Sequence, residues 1–168
     1  AGTGGRLNVN IISSDIPGEV MEGGPRYART VEAMRIVRQL LNGEHVSHKG
    51  EFYDIEVAPP RMTTLSGKCP PFYFGGLSPV ARDVAAEAAD VYLMWPDTMD
   101  NVKAVVADMT ERAAAKGRTL KFGYRAHVIV RDTEDEARAY ADRLLSKLDA
   151  QTGDAIRNKS LDAQNFGV

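Results

Sequence analysis

The chain has 168 residues, of which 43% are hydrophobic and 26% charged, and its formal net charge is -2 at pH 7. This size and balance are typical of one soluble globular domain, and they exclude the basic surface of a nucleic-acid-binding protein. No apolar run approaches the length of a membrane span, so we expect no membrane partner.

Cys69 is the only cysteine, which excludes an intramolecular disulfide framework and fits a cytoplasmic protein. It is either an ordinary free thiol or a nucleophile, and no fixed His or Asn partner can be named for the second role. The chain begins Ala-Gly-Thr-Gly-Gly without Met and ends without a recognisable cap. We therefore expect a fragment of a longer chain.

The first elements in chain order are a short strand and a long helix. Residues 7–12 are largely apolar, which predicts a strand. Pro25 begins a helix that runs to about Leu41, and Gly43 follows its end. Proline at the start and glycine past the end is the asymmetry that helices prefer.

A polar hairpin is predicted over residues 45–56, around Lys49-Gly50. It contains His45 and His48, which lie three positions apart. Because no third metal ligand follows at a sensible spacing, we interpret them as solvated surface histidines.

The second half alternates short apolar strands with helices. We predict a strand with its exit over 71–78, a helix over 80–89, a strand over 91–95, a helix over 100–116, a strand over 121–131 and a helix from the capping box 133–136. The run Val128-Ile-Val130 makes the last strand a buried one. The remainder, 151–168, is polar and weakly helical.

Strict alternation of apolar strands and helices predicts a parallel sheet with helical crossovers. Four such units fit either a doubly wound sheet or half of an eight-unit barrel. Both folds bind ligands at the carboxyl ends of their strands. The candidate site is therefore formed by the loops 13–25, 75–79 and 95–99 and by the face of strand 121–131.

The clearest chemical signal is Gly75-Gly76-Leu77-Ser78, between a strand and a helix. Two glycines let backbone N–H groups approach an anion, the helix start adds unsatisfied donors, and Ser78 adds a hydroxyl. The loop is either a phosphate cradle or a simple glycine turn with an N-cap. It matches neither of the common nucleotide-binding glycine motifs.

Three further side chains belong with that loop. Trp95 ends its strand and is either core packing or the wall of a pocket. Arg125 and His127 are two residues apart, so on a strand they point to one face. Arg125 suits a sulfonate, phosphate or carboxylate, and His127 can move a proton near neutral pH; the alternative is a solvated strand end.

Five segments together resemble the bacterial-luciferase-like flavin monooxygenases, and within that family the reduced-FMN-dependent alkanesulfonate monooxygenases. They are Gly-Arg-Leu-Asn-Val-Asn-Ile-Ile-Ser (5–13), Arg-Tyr-Ala-Arg (26–29), Pro-Pro-Phe-Tyr-Phe-Gly-Gly-Leu-Ser (70–78), Val-Tyr-Leu-Met-Trp (91–95) and Phe-Gly-Tyr-Arg-Ala-His-Val-Ile-Val-Arg (122–131). The resemblance covers nearly the whole chain, and the strand around Arg125 and the Tyr-Phe-Gly-Gly loop are its most specific parts.

The resemblance implies a (β/α)8 TIM barrel, of which residues 1–168 would form a partial single domain holding the central βα units. The segment 151–168 would begin a mobile lid insertion. The family reaction uses O2 and reduced FMN, supplied by a separate flavin reductase, to cleave the C–S bond of an alkanesulfonate into an aldehyde and sulfite. We also expect a homo-oligomer.

The family's site residues are carried over by position. Arg125 matches the arginine that stabilises the oxygenated flavin or binds the sulfonate, His127 the neighbouring histidine, and Trp95 the pocket tryptophan. The FMN phosphate site is matched by Tyr27, Gly75, Gly76, Leu77 and Ser78, and the flavin contacts by Asn10 and Ser13. No metal site is implied.

Two segments depart from the family pattern. Glu22-Gly-Gly-Pro25 replaces the His-Asp-Glu that commonly precedes the Arg-Tyr of the long helix, and Ser13-Ser-Asp15 replaces the Thr-Gly after the first strand. They leave the substrate open: a sulfone, an alkane, or hydride transfer with a deazaflavin are alternatives within the family. A non-catalytic phosphate- or flavin-binding fragment is the alternative outside it.

Overall fold

The computed structural model describes residues 2–13, 21–62 and 64–161, with side chains as far as residue 155. In chain order its elements are β1 (Val9–Ile11), α1 (Gly23–Leu41), β2 (Val46–Lys49), β3 (Asp54–Val57), β4 (Phe72–Phe74), α2 (Pro79–Ala88), β5 (Val91–Met94), α3 (Met99–Ala115), β6 (Lys121–Tyr124), α4 (Glu134–Leu145) and α5 (Ala150–Leu161). The chain divides into two compact units, one up to Tyr124 and one from Arg125 onward.

The first unit is built on a four-stranded parallel sheet in the order β1-β4-β5-β6. Each pair of neighbouring strands is joined through a helix, which is the connection that parallel strands require. β2 and β3 pair antiparallel as a separate hairpin, with Val46 opposite Val57. The strand–helix alternation therefore predicted the parallel sheet correctly, and the hairpin predicted around Lys49-Gly50 is also confirmed.

One face of this sheet carries the hydrophobic core. Period-two alternation places Phe72 and Phe74 of β4 and Tyr92 of β5 on the same face, and all three are fully buried. Met34 of α1 and Met109 of α3 pack in the same cluster. Asn10 and Leu93 lie on strand positions of the opposite face and are less buried.

The helix boundaries follow the local signals of the sequence. The side-chain oxygens of Ser78, Thr98 and Thr133 each accept a hydrogen bond from the backbone N–H three residues ahead, at 3.2 to 3.3 Å. Gly117 follows α3 at a φ of 66°, a conformation that glycine adopts without strain. The predicted caps at Ser78 and Thr133 are thus confirmed.

The predicted buried strand over 121–131 is wrong beyond Tyr124. β6 ends there, opposite Met94, the last residue of β5. Residues 125–131 have no regular secondary structure, and Val128 and Val130 are 77% and 75% exposed. A strand continues only where a neighbouring strand can hydrogen-bond to it. β5, the neighbour of β6, ends at Met94 and is followed by Trp95 and Pro96.

Two smaller expectations also change. His48 is not a solvated surface residue, because its Nε2 lies 2.8 Å from the buried Glu32 carboxylate, whereas His45 is exposed and lies 3.4 Å from Glu56. In the second unit, the apolar positions Ala137, Ala141 and Leu144 are spaced as an inner stripe of α4, but no residue of that helix is buried. The end of the expected lid segment, 162–168, lies outside the described residues.

Candidate functional site

The carboxyl ends of four parallel strands meet at one edge of the sheet. The chain leaves this edge at Ile12 after β1, at Gly75 after β4 and at Trp95 after β5, while β6 ends at Tyr124. Ligand sites of parallel α/β folds form at this edge because the loops there carry side chains that do not have to pack in the core. The positions of the candidate site residues in this unit are therefore described relative to the carboxyl ends of the strands.

The Gly75–Ser78 loop approaches its surroundings too closely for side chains. A Cβ on Gly75 would lie 2.8 Å from the Leu93 carbonyl oxygen, and one on Gly76 would lie 2.5 Å from the Ala81 Cβ. Ser78 caps α2 by accepting from the Ala81 N–H at 3.2 Å, and Pro79 begins the helix. Glycine is thus required at both positions for the loop to pack this closely against β5 and α2.

Donors at the start of α2 are open. Within the described residues, the N–H groups of Leu77, Ser78 and Val80 meet no acceptor. The first turn of a helix favours negative charge, through these donors and through its dipole. This arrangement can bind an anionic group such as a phosphate.

Tyr27, in the first turns of α1, lies beside the same loop. Its hydroxyl oxygen is 4.0 Å from the position that a Cβ on Gly76 would take. Its ring meets Phe74 edge to face, with centroids 6.4 Å apart, and the Arg26 guanidinium lies 5.1 Å from the Tyr27 ring centroid. The structure therefore brings Tyr27 and Gly76 together, as the resemblance implied.

Ser13 is held to the same part of α1. The Arg26 guanidinium donates through Nη1 to the Ser13 carbonyl at 3.0 Å, and the Thr30 hydroxyl donates to the Ser13 Oγ at 2.9 Å. Arg26 is only 7% exposed. Asn10 is placed differently, because it pairs in register with Tyr73 and lies exposed on the sheet face away from the core.

Trp95 stands at the carboxyl end of β5 and is 45% exposed. The chain turns there into α3, and the Asp97 N–H donates to the Tyr124 hydroxyl oxygen at 3.3 Å, which links the ends of β5 and β6. Hydrogen bonds from the Asn101 amide and the Thr98 N–H hold the pKa of Asp97 below its ordinary value. Trp95 is thus half exposed at the carboxyl end of β5, and its assignment as a pocket wall stays a prediction.

Arg125 and His127 lie in the second unit, in the irregular segment after β6, and both are exposed. The expectation that strand alternation sets them on one face is wrong, since no strand runs through them. They remain neighbours in sequence and directly follow Tyr124. Among the described residues there is no group of three or more potential metal ligands.

Three residues of this region were not predicted from the sequence: Arg26, Thr30 and Tyr92. The Tyr92 hydroxyl is buried and donates to the Gly76 carbonyl at 2.6 Å, and its burial raises the pKa of Tyr92 above the ordinary value. Tyr92 was interpreted only as part of an apolar strand. A tyrosine within a buried strand was the available signal, because a buried phenol needs a hydrogen-bond partner.

Comparison with known proteins gives the family. The family model described as luciferase-like monooxygenase matches residues 2–166. A sulfoquinovose monooxygenase of Novosphingobium aromaticivorans is 71% identical over 99% of this chain and 46% of its own length. One of Agrobacterium fabrum is 47% identical over 98% of this chain and 43% of its own length. The chain thus spans about half the length of these relatives.

Solved structures share this fold. The crystal structure of the long-chain alkane monooxygenase LadA superposes with a TM-score of 0.75 at 21% identity, over 86% of this chain and 41% of that one. The expected fold class is therefore confirmed: the chain holds part of the TIM barrel of luciferase-like proteins. No helix among the described residues combines the length and apolar composition of a membrane span. From the match over almost all of its residues, this chain belongs to the luciferase-like monooxygenase family.

Proposed function

We propose that the full-length protein containing this chain is a flavin-dependent monooxygenase that cleaves the C–S bond of sulfoquinovose, a sugar that carries a sulfonate. The observation that carries the proposal is the 71% identity to a relative of that name over 99% of this chain. An identity of 47% to a second relative of the same name supports it. The expectation of an alkanesulfonate is thereby narrowed to a sulfonate whose carbon chain is hydroxylated.

The proposed reaction balances with O2 and reduced FMN as co-substrates. When bound, reduced FMN supplies the two electrons that activate O2. One oxygen atom enters the aldehyde formed at the sulfonated carbon, and the other leaves as water. Sulfite departs with the electron pair of the C–S bond.

The site at the Gly75–Ser78 loop fits the phosphate of FMN. A dianionic phosphate would accept from the open N–H groups of Leu77, Ser78 and Val80, and from the Tyr27 hydroxyl beside Gly76. Because a Cβ at Gly75 or Gly76 would collide with Leu93 or Ala81, only glycine lets this loop pack against β5 and α2 and so hold the start of α2 in place. Ser13 and Asn10, at the end of β1, would contact the flavin itself.

For Trp95, Arg125 and His127 we propose the roles that the family resemblance gives them by sequence position. Arg125 is a permanent cation whose planar fork of donors suits a sulfonate, and it would neutralise the charge that develops as sulfite leaves. His127 would move a proton as the aldehyde forms. The half-exposed ring of Trp95 would form an apolar wall of the pocket and keep water out.

The wider context follows from the same assignment. A separate flavin reductase would supply reduced FMN, and the enzyme would work in the cytoplasm as a homo-oligomer. Reduced flavin is a diffusible substrate in this scheme.

Anaerobic titration of the full-length protein with reduced FMN, followed by a sulfite assay in air, tests the proposal. Sulfoquinovose and hexanesulfonate are compared as substrates at equal concentration. We expect sulfite from sulfoquinovose at a rate at least tenfold above that from hexanesulfonate, because a site that hydrogen-bonds hydroxyl groups discriminates against an analogue that lacks them.

Other outcomes assign the alternatives. Equal or faster turnover of hexanesulfonate would return the substrate to a simple alkanesulfonate, as the sequence motifs suggested. Flavin binding without sulfite from either compound would favour another small substrate, such as a sulfone or an alkane. Binding of a deazaflavin in place of reduced FMN would favour hydride transfer. Absence of any flavin binding would contradict every proposal of flavin-dependent catalysis and favour a non-catalytic fragment.

A further inference from the structure

Tyr92 is a buried polar side chain that reaches the glycine loop from the core. It lies in the middle of β5 with 1% of its surface exposed. Its hydroxyl donates to the Gly76 carbonyl oxygen at 2.6 Å, across sixteen residues of chain. A hydrogen bond of this length from a buried donor fixes the direction of the carbonyl it meets.

The direction of the Gly76 carbonyl also decides that of the next N–H. Within the described residues every peptide bond is trans, and in a planar trans peptide the C=O and the N–H point in opposite directions. Since the Gly76 carbonyl points to the buried Tyr92 hydroxyl, the Leu77 N–H points away from it. That N–H then joins the open donors of Ser78 and Val80 at the start of α2.

Packing alone would not hold this peptide. Gly76 sits against the first turn of α2, where an added Cβ would lie 2.5 Å from the Ala81 Cβ, so a residue with a side chain does not fit there. Glycine nevertheless permits rotation of its backbone that any other residue would resist. Orientation therefore depends on the hydrogen bond from Tyr92, and the raised pKa of that buried phenol keeps its proton in place.

We propose that Tyr92 is a positioning residue for the flavin phosphate, which aims the Leu77 N–H at the phosphate by holding the Gly76 carbonyl. The inference rests on the proposed function, since it concerns the same cofactor site. Tyr92 does not touch the cofactor in this role. It acts through one peptide plane, so its effect is confined to the phosphate and spares the flavin ring.

Because riboflavin is FMN without the phosphate, comparing the two ligands tests whether Tyr92 acts on the phosphate alone. Dissociation constants of reduced FMN and reduced riboflavin are measured anaerobically for the full-length protein and for Tyr92→Phe, which removes only the hydroxyl. We expect the FMN constant to rise about three- to tenfold, the loss of one charge-assisted hydrogen bond. The riboflavin constant should change by less than about twofold. Tyr140→Phe, on α4, is the matched control and should change neither constant.

A purely structural role for Tyr92 would weaken both ligands equally, and an unchanged preference for FMN in Tyr92→Phe would equally overturn the inference. Leu77→Pro is the second variant, should Tyr92→Phe fail to fold, because it deletes the aimed N–H while Leu77 itself is exposed. Full retention of the FMN preference in Leu77→Pro would contradict the proposal. If the wild-type protein binds both flavins equally, the phosphate site itself is misplaced, and if it binds neither, the proposed function fails.

Discussion

The Glu32 carboxylate of α1 and the His48 imidazole of β2 lie 2.8 Å apart, Oε1 to Nε2, beneath the hairpin of β2 and β3. The same buried carboxylate accepts from the Phe52 N–H at 3.2 Å and from the Tyr53 N–H at 2.9 Å. A single side chain of α1 thus holds β2 and the turn that leads into β3. Because α1 also carries Tyr27, this contact links the hairpin to the helix of the candidate site.

Gly50 is the tight point of this arrangement. A Cβ there would lie 2.1 Å from the Glu32 Oε1 and 2.5 Å from the His48 Nε2. We expect Gly50→Ala to lower the free energy of unfolding by about 1–3 kcal/mol, the usual cost of overpacking a well-filled site. Gly24→Ala is the control, since open space surrounds that position and alanine is the better helix former. Chemical denaturation measures both, and equal stability of the two variants would contradict the prediction.

Acid should loosen the hairpin through Glu32. Burial acts to raise the pKa of Glu32, but the hydrogen bonds from His48, Phe52 and Tyr53 outweigh it and lower that pKa below its ordinary value. The ionised carboxylate therefore contributes stability above the ordinary glutamate pKa, and this is lost as pH falls through the lowered one. Protection of the β2 and β3 amides from hydrogen exchange, relative to their intrinsic exchange rate at each pH, should fall over that interval. In Glu32→Gln exchange should already be faster at neutral pH and lose this acid dependence, and an identical acid response in both proteins would exclude Glu32 as its cause.

Asp90 lies at the amino-terminal ends of the strands, opposite the candidate site, and stabilises that part of the sheet. Its Oδ2 accepts from the Phe72 N–H at 2.8 Å and from the Arg38 guanidinium at 2.9 Å, and Arg38 also lies 4.5 Å from the Phe72 ring centroid. We expect Asp90→Ala to lower the free energy of unfolding by about 2–4 kcal/mol, because the Phe72 N–H and Arg38 both lose an acceptor. Asp100→Ala, an exposed carboxylate near Lys103, should change it by less than about 0.5 kcal/mol. Thermal unfolding of the two variants checks the difference.

Local signals predicted much of this fold, and tertiary partners decided the rest. The caps at Ser78 and Thr133 could be predicted because each depends on residues within one turn. The length of β6 could not, because it depends on where β5 ends. Apolar, β-branched residues from Val128 to Val130 favour a strand only where a neighbouring strand is present.

Part of the candidate site was likewise predicted from the sequence, and part depends on contacts that only the folded chain makes. Tyr27 and the Gly75–Ser78 loop were predicted from the family resemblance, and the structure brings them together. The contacts of Arg26 with Ser13 and of Tyr92 with Gly76 join residues 13 and 16 positions apart in the sequence. No local pattern encodes such pairs. They follow only once the parallel sheet has placed the ends of β1, β4 and β5 side by side.

Ser78 should have two separable effects, one on α2 and one on flavin binding. Ser78→Ala removes the cap on the Ala81 N–H and should cost about 1 kcal/mol of stability. Thr133→Ala removes an equivalent cap on α4, at 3.3 Å from the Glu136 N–H, and should cost a similar amount. Only Ser78→Ala should also weaken reduced FMN, since its hydroxyl stands in the proposed phosphate site. Equal FMN affinity in the two variants would remove the Ser78 hydroxyl from that site.

Arg125 should matter for turnover and little for folding. It is exposed and lies in a segment without regular structure, so Arg125→Ala should change the free energy of unfolding by less than about 0.5 kcal/mol. Sulfite release should nevertheless fall tenfold or more, the usual cost of removing a charge partner of a transition state. Arg125→Lys should recover only part of the rate, because lysine keeps the charge but loses the planar donor fork.

The control for Arg125 is Arg138→Ala, which removes another exposed arginine, one that pairs with Glu134 on α4. Its sulfite release should stay within about twofold of wild type, since an exposed ion pair contributes little. Steady-state rates at saturating reduced FMN, with the sulfonate varied, separate the effects on kcat and KM. A rise in KM alone for Arg125→Ala would assign Arg125 to ground-state binding of the sulfonate, whereas a fall in kcat places it at the departing sulfite. Unchanged kcat and KM would take Arg125 out of the site.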